Sequence, residues 1–584
     1  MKKLMLGNEA IARGAYEAGV RVVSSYPGTP STEITESIAK YDEIYSEWAP
    51  NEKVGLEVAA GASFAGGRAM SCMKHVGLNV AADPLFTVSY TGVNAGLVIC
   101  VADDQGMHSS QNEQDSRHYA LASKTLMLEP ADSQECLDYV KRGFDLSERY
   151  DTPVLIRLST RISHSQTSVE AGERRELPLN DYVKDPQKYV MMPAAARGRH
   201  IIIEERMKKL ASFVDEDASL NKVVDNGGKI GVISAGIAYQ YAKEALGDNV
   251  NYLKLGAVYP LPSRMITDFA KGLDKIYVIE ELEPIIENHC KQLGLSVVGK
   301  DAWGNIGEYT ASSIKNVVLG AEASPQLSVD EPIPVRPPVM CSGCPHRGLF
   351  YVLSKMKLNV TGDIGCYTLG ALAPLEAIDA VVCMGASVGM AHGFEKARGA
   401  EFGRKTVAVI GDSTFAHSGI TGLMDIVYNK GNATVIILDN SITGMTGHQH
   451  NPTTGYTIKG EPTKAVDLVK LAEAVGVEAE HIRVVDPFDV DALEKVIKEE
   501  TSADAPSVII TRRPCALLKG VGYEGTYAVD DSKCKKCNIC MKIGCPAITK
   551  ADDRIVVDSV MCNGCGLCTN ICKFGAFEKA GVPV

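Results

Sequence analysis

Thr406-Val407-Ala408-Val409-Ile410-Gly411-Asp412-Ser413 is followed, one crossover length later, by Thr434-Val435-Ile436-Ile437-Leu438-Asp439-Asn440. Each is a short apolar run that stops at a small or polar pair. Such runs read as fully buried strands of a parallel sheet. The 28 residues from Asp412 to Asn440 suit one helical crossover. In these sheets ligands gather beyond the carboxyl ends of the strands, where the next helix begins and its free N–H groups favour phosphate. Asp412 and Asn440 would there offer two hard oxygen donors, which suit Mg²⁺ completed by phosphate and water. Gly444, Gly447 and Gln449, just downstream, favour a phosphate loop. Taken alone, a Gly-Asp pair after a strand is equally a common turn.

The pattern extends in both directions. In a first block, residues 1–165, strands are predicted at Val20–Ser24, Ala69–Met73, Leu97–Val101 and Val154–Leu158. Residues 166–225 are charged and read as a connector with one long helix near Ile202–Phe213. A second block, 226–330, has predicted strands at Lys229–Ser234, Asn251–Leu255 and Lys275–Glu280. Ser324–Pro338 carries five prolines and reads as a linker. The block 339–520 adds strands at Ala380–Met384 and Ser507–Thr511, and the last block, 525–584, is short and rich in cysteine. Strands alternating with helices give an α/β fold class, several doubly wound parallel sheets in one chain.

Composition narrows the function. The 584 residues suggest about three to five domains. Apolar residues make up 45% and charged residues 23%, which leaves ample core material. The net charge is −12, which argues against nucleic acid or an anionic membrane surface as partner. The apolar run Leu4–Leu6 is too short for a secretory signal. The longest uncharged stretch, Pro84–Ala102, reads as helix, turn and buried strand, not as a membrane span. The expected location is the cytoplasm.

A reducing compartment disfavours disulfides, yet there are 17 cysteines, eight of them between Cys534 and Cys572. Their order is Cys534-x2-Cys537-x2-Cys540-x4-Cys545, then Cys562-x2-Cys565-x2-Cys568-x3-Cys572. That concentration implies metal. The two runs resemble bacterial two-cluster ferredoxins, in which three close cysteines hold one [4Fe–4S] cluster and the fourth crosses to the other. The resemblance implies that Cys534, Cys537, Cys540 and Cys572 hold one cluster. Cys562, Cys565, Cys568 and Cys545 would hold the second. Structural zinc is the alternative, but it takes four ligands per site without this interleaving. So short a module builds little core and depends on its clusters to fold.

The two quoted strands resemble the thiamine-diphosphate motif, a Gly-Asp-Gly followed some 30 residues later by Asn; here Ser413 replaces the second glycine. The resemblance implies that Gly411, Asp412, Ser413, Asn440 and Gly444 bind the cofactor. It makes the Ile442 carbonyl the third protein ligand of Mg²⁺. Thiamine enzymes also take a glutamate from another α/β domain to the aminopyrimidine ring. Glu52 opens an Ala/Gly-rich helix and lies nine residues before Gly61, as in the matching domains, so it is the candidate; Glu57 is the second choice.

Tyr26-Pro27-Gly28-Thr29-Pro30-Ser31 resembles the substrate loop of 2-oxoacid:ferredoxin oxidoreductases, and implies that Thr29 meets the substrate. Arg117 matches an arginine near the substrate there, suited to a bidentate grip on a carboxylate; an ion pair with Asp115 or Glu113 is the plainer use. Cys341-Ser342-Gly343-Cys344, Cys366 and Cys515 fall in the order of the cysteines that hold a third [4Fe–4S] cluster near the thiamine in pyruvate-type relatives.

End to end, the chain resembles the alpha subunits of indolepyruvate:ferredoxin oxidoreductases. Met73–Asn79, Tyr259-Pro260-Leu261-Pro262 and the four-residue gap before Cys545 carry the likeness, and His75 stands where pyruvate enzymes have small polar residues. The resemblance implies pyrimidine-binding (1–165), transketolase-C-like (226–330), diphosphate-binding (339–520) and ferredoxin-like α+β (525–584) domains. It implies oxidation of arylpyruvates to arylacetyl-CoA with release of CO₂ and transfer of electrons to ferredoxin. The partners would be a smaller beta subunit in an α2β2 assembly, ferredoxin, coenzyme A and the 2-oxo acid. Other readings are a branched-chain or phenylglyoxylate-type 2-oxo acid, a non-redox thiamine decarboxylase, and a non-catalytic electron-transfer subunit.

Overall fold

Apolar runs without alternation bury both faces of a strand. Ala69–Lys74, Leu97–Asp103 and Val154–Ser159 are such runs, and every residue in them is buried. In the computed structural model, which describes residues 2–320 and 329–580, they form the middle of a seven-stranded sheet. Its order is Ala257–Tyr259, Leu126–Leu128, Val154–Ser159, Leu97–Asp103, Ala69–Lys74, Val22–Ser25, Tyr45–Trp48. All neighbours are parallel except the edge strand Ala257–Tyr259. The helices Gly7–Glu17 and Ser133–Tyr150 cover one face, packed so closely that a Cβ on Gly14 would lie 2.6 Å from the Leu137 carbonyl.

The chain divides into two compact units, Met1–Asp330 and Glu331–Val584. The first contains a second sheet, ordered Lys275–Ile279, Ile230–Ala235, Asn251–Leu255 and an antiparallel edge strand Lys222–Val224. Within this unit the 166–225 stretch is well anchored. Gln166–Glu170 pairs with Lys2–Leu6, and the helix Pro193–Glu216 is pinned where Arg199 and Arg206 donate to the carbonyls of Tyr90, Ser89 and Asp151.

The second unit holds a five-stranded parallel sheet ordered Asn359–Thr361, Thr406–Gly411, Thr434–Asp439, Ser507–Arg512, Ile482–Val485. One expected strand is absent. Ala380 makes an isolated bridge to Thr361, and no strand runs over Ala380–Met384. The Asp363 carboxylate accepts the amides of Gly385 and Ser387, at 2.8 and 3.0 Å, and turns the chain into the helix Ala386–Arg398. The cysteine-rich tail has two antiparallel pairs, Thr526–Val529 with Phe577–Ala580 and Ile548–Ala551 with Arg554–Val557. Its apolar side chains share one core with the helix His346–Met356: Ile543, Ile548, Leu567 and Phe577 pack in the cluster of Leu349, Phe350 and Val352. Of the expected linker, Ser324–Ser328 lies outside the described residues, and residues 329–338 form no helix or strand.

A buried charge network ties the sheets of the first unit together. Arg157, on the first sheet, lies 2.7 Å from both Asp103 and Glu129, and Arg117 reaches Glu280, just past the second-sheet strand Lys275–Ile279. Next to it Glu281 is buried, and burial, opposed by the Tyr309 amide and reinforced by Glu308, pushes its carboxyl up to about 7. A carboxyl raised in the fold favours the native state below its unfolded value and loses that contribution as pH rises through its folded one. Glu281→Gln should therefore gain stability over the parent by roughly 2–3 kcal/mol between pH 5 and pH 8. Thermal melts across that range check it; a constant difference would place Glu281 in contact with water.

Candidate active site

The strand Thr406–Gly411 runs straight into a helix that opens at Asp412. The first turn, Asp412–Thr414, passes through a wide turn at Phe415–Gly419 before the regular helix Ile420–Tyr428. Such widened turns recur at functional sites. Only glycine fits before Asp412, since a Cβ on Gly411 would lie 2.7 Å from the Tyr367 ring.

Three polar groups converge here. One terminal atom of the Asn440 amide lies 2.7 Å from the Ile442 carbonyl oxygen and 3.3 Å from Asp412 Oδ1; as the nitrogen it donates to both, and as the oxygen it would face a cation with them. Three acceptors facing one another repel unless a cation lies among them or the amide turns to donate. Burial, with Asp439 nearby, pushes the Asp412 carboxyl up to about 7, so a local cation is what would keep it ionised. The donor set is all oxygen, as Mg²⁺ requires. Ser413 is buried, with Thr443 Oγ1 donating to its hydroxyl at 3.0 Å. Thr453 Oγ1 donates to Asp412 Oδ2 at 2.9 Å and also lies 2.7 Å from Asn451 Oδ1. Thr453 and Asn451 are contacts that the sequence did not flag, because isolated Thr and Asn in a Pro-containing loop look like turn residues.

The cysteines gather into sets. One pocket is lined by Cys534, Cys537, Cys540 and Cys572. A second is lined by Cys545, Cys562, Cys565 and Cys568. In both, the fourth cysteine comes from the other run, and the remaining lining is largely apolar, as a thiolate-held cluster requires. Cys341, Cys344, Cys366 and Cys515 lie near one another in the same unit. Burial pushes the Cys344 thiol up to about 12 and the Cys366 thiol up to about 11, with Cys341 adding to both. Cys515 adds to the Cys366 shift. This set adjoins the oxygens: the Cys515 amide donates to the Asn440 carbonyl at 3.0 Å, and a Cβ on Gly444 would lie 3.4 Å from Cys366 Sγ.

In the first unit Asn51 caps the helix Glu52–Phe64, accepting the Val54 amide at 2.9 Å. That places Glu52 in the first turn, 4% exposed, against the backbone of Gly77, where an added Cβ would lie 2.6 Å from its Oε1. Glu57 is exposed and paired with Lys53. Thr29 is half-buried in its loop, and its carbonyl accepts from Ser109 Oγ at 3.3 Å. His75 is buried, with Nε2 3.2 Å from the Asn112 carbonyl.

Arg117 takes the plainer of its two expected uses, the ion pair with Asp115. It is 2% exposed, and four of its five N–H donors are already engaged. Asp115 accepts from Nε and Nη2, Glu280 from Nη1 at 2.5 Å, and the carbonyls of Glu281 and Glu283 from Nη2. The guanidinium is a tie within the charge network, and with one Nη1 N–H left over it offers no second donor for a bidentate grip on a carboxylate.

The comparisons with known proteins agree with this geometry. Residues 13–225 match the family described as pyruvate flavodoxin/ferredoxin oxidoreductase, thiamine diphosphate-binding. Residues 363–511 match the thiamine pyrophosphate enzyme, C-terminal TPP binding domain. The chain is 40% identical to indolepyruvate oxidoreductase subunit IorA of Pyrococcus horikoshii, over 99% of this chain and 97% of that one. The chain belongs to the IorA family of indolepyruvate oxidoreductase subunits. Against IorA of Archaeoglobus fulgidus it is also 40% identical, over 99% of this chain and 98% of the other. The 2-oxoglutarate synthase subunit KorA of Methanothermobacter thermautotrophicus matches at 23%, over 47% of this chain and 86% of its own length. The chain is thus an oxidoreductase of the thiamine-diphosphate-dependent 2-oxoacid class, with both thiamine-binding domains in one polypeptide. No helix among the described residues is long and apolar enough to cross a membrane.

Within the IorA framework, Arg117→Met removes the nearest cation from the buried carboxylates of Asp115 and Glu280. The expected cost is about 3–5 kcal/mol of stability. Thermal unfolding reads it; a melting temperature equal to the parent's would return Arg117 to the list of substrate contacts.

Proposed function

We propose that this chain is the catalytic subunit of an arylpyruvate:ferredoxin oxidoreductase. An arylpyruvate and coenzyme A give arylacetyl-CoA, CO₂, one proton and two electrons, which pass through iron–sulfur clusters to ferredoxin. It acts with a smaller beta subunit in an α2β2 assembly. The observation that carries this reading is the convergence of the Asp412 carboxylate, the Asn440 amide and the Ile442 carbonyl next to a thiol set in one unit.

Each residue has a task. Asp412, Asn440 and the Ile442 carbonyl would hold Mg²⁺ against the cofactor's diphosphate. Gly411 and Gly444 keep the backbone close, and Ser413 fills the place of a glycine. Glu52 would hydrogen-bond the aminopyrimidine. The Thr29 hydroxyl would meet the substrate. Thiamine diphosphate, when bound, supplies the electron sink that lets a 2-oxo acid lose CO₂. Cys341, Cys344, Cys366 and Cys515 would hold the cluster nearest the cofactor. The two tail sets would hold the next two.

Steady-state rates with both subunits, ferredoxin and a panel of 2-oxo acids test the reading. Arylpyruvates should give the highest kcat/KM, and a preference for pyruvate or 2-oxoglutarate would sink it. Asp412→Ala should lose thiamine diphosphate by thiochrome assay and keep its iron; cofactor retention would reject the ligand assignment. The reconstituted chain should carry about 12 Fe, falling to about 8 in Cys341→Ser. About 8 Fe in both would remove the third cluster.

A further inference from the structure

With Arg117 committed to Asp115 and Glu280, the substrate's carboxylate lacks the cation that the sequence assigned to it. The strand Ala69–Lys74 ends on another one. Lys74 is 9% exposed, and its Nζ makes one hydrogen bond, to the Ser109 carbonyl at 3.1 Å. Among the described residues no carboxylate stands within ion-pair distance of it. Asp104 and Glu52 act on it from further away. The Asp104 oxygens are already engaged by the Ser109 amide and by the hydroxyls of Ser110 and Thr160. An ammonium group has three donors, so two of them have no acceptor among the described residues. Burying an unpaired cation costs several kcal/mol. A fold that bears this cost has a place prepared for an anion.

The surroundings say which anion. The stem of Lys74 lies across Gly28, where an added Cβ would come within 3.2 Å of Lys74 Cγ. Gly28 is in the Tyr26–Ser31 loop, next to Thr29. Ser109, whose carbonyl takes the ammonium, donates its hydroxyl to the Thr29 carbonyl. Three residues past Lys74, Gly77 meets the Glu52 carboxylate. The ammonium is thus linked to the Thr29 loop through Ser109 and shares its helix-strand junction with the contact surface of Glu52.

We propose that Lys74 binds the carboxylate of the 2-oxo acid, with its two free N–H groups directed to the oxygens and the Thr29 loop beside it. This rests on the reading of Thr29 and Glu52 as substrate and cofactor contacts. It makes Lys74 the anchor for the part common to all 2-oxo acids, leaving the choice of side chain to other residues.

The test compares Lys74→Met and Lys74→Arg with the parent in the α/β complex. Calorimetry measures binding of 3-phenylpropionate, an unreactive arylated carboxylate, and of 3-phenylpropanamide, its neutral counterpart. Lys74→Met should weaken the carboxylate by about 30-fold or more and raise the arylpyruvate KM in parallel. The amide's affinity and the thiamine content should stay as they are. Lys74→Arg keeps the charge and should retain most of the binding. The melting temperature of Lys74→Met should equal or exceed the parent's, because an unpaired buried charge is gone. An unchanged carboxylate affinity and KM would overturn the proposal. So would a fall in melting temperature, which would make Lys74 a structural residue. If the parent complex oxidises a different class of 2-oxo acid, the arylpyruvate reading fails on its own. The same comparison then uses that acid and its 2-deoxo analogue, and it still decides the role of Lys74.

Discussion

Arg347 holds the cysteine-rich part of the second unit in place. Its Nη1 donates to the carbonyls of Ile543 and Gly544, and its Nη2 to those of Met340 and Cys341. One side chain thus joins the turn that presents Cys341 and Cys344 to the segment between Cys540 and Cys545. The tail is too short to bury a core of its own, so it borrows one from the helix His346–Met356. Asn563 and Asn570 add the same kind of link, donating to the carbonyls of Ser342 and Phe488. A buried guanidinium without a carboxylate is costly, and here four carbonyls and the neighbouring Cys344, Cys545, Cys341 and Cys565 sulfurs offset that cost. Negative charge on those sulfurs strengthens the tie.

The first unit uses its arginines differently. Arg157 and Arg117 lie among Asp103, Asp115, Glu129 and Glu280, where each carboxylate has a specific donor. Two sheets of one unit are joined by charges that neither sheet could bury alone. That use consumes the cations, so a buried ammonium such as Lys74, with no carboxylate of its own, stands out.

The legibility of the sequence followed the range over which each feature is built. The Asp412–Asn440 spacing and the cysteine runs are local, because one crossover or one tight turn sets the geometry, and these could be read directly. The crossing of Cys545 and Cys572 came from a motif, and the cavity linings match it. The Arg117–Asp115 pair was one of the uses the sequence offered, but Glu280 is 163 residues away and no pattern near Arg117 announces it. Lys74 gave no signal, since a lysine at a strand end is normally a solvated one. Ala380–Met384 has the composition of a strand, but Asp363 captures the amides just beyond it and turns the chain. The shared core under the tail was illegible for the same reason: Leu567 and Leu349 meet only through tertiary packing.

The hydrogen bond from the Cys515 amide to the Asn440 carbonyl joins two sites that differ in chemistry. One is an array of oxygens suited to a hard cation, the other a group of sulfurs suited to iron. On the proposed function Asn440 would serve the first and Cys515 the second, so fixing the backbone at one would remove part of the ordering entropy that the other must overcome. Under that reading assembly would be cooperative: whichever inorganic component arrived first would raise the affinity for the second, and by reciprocity the loss of either would loosen the one that remains.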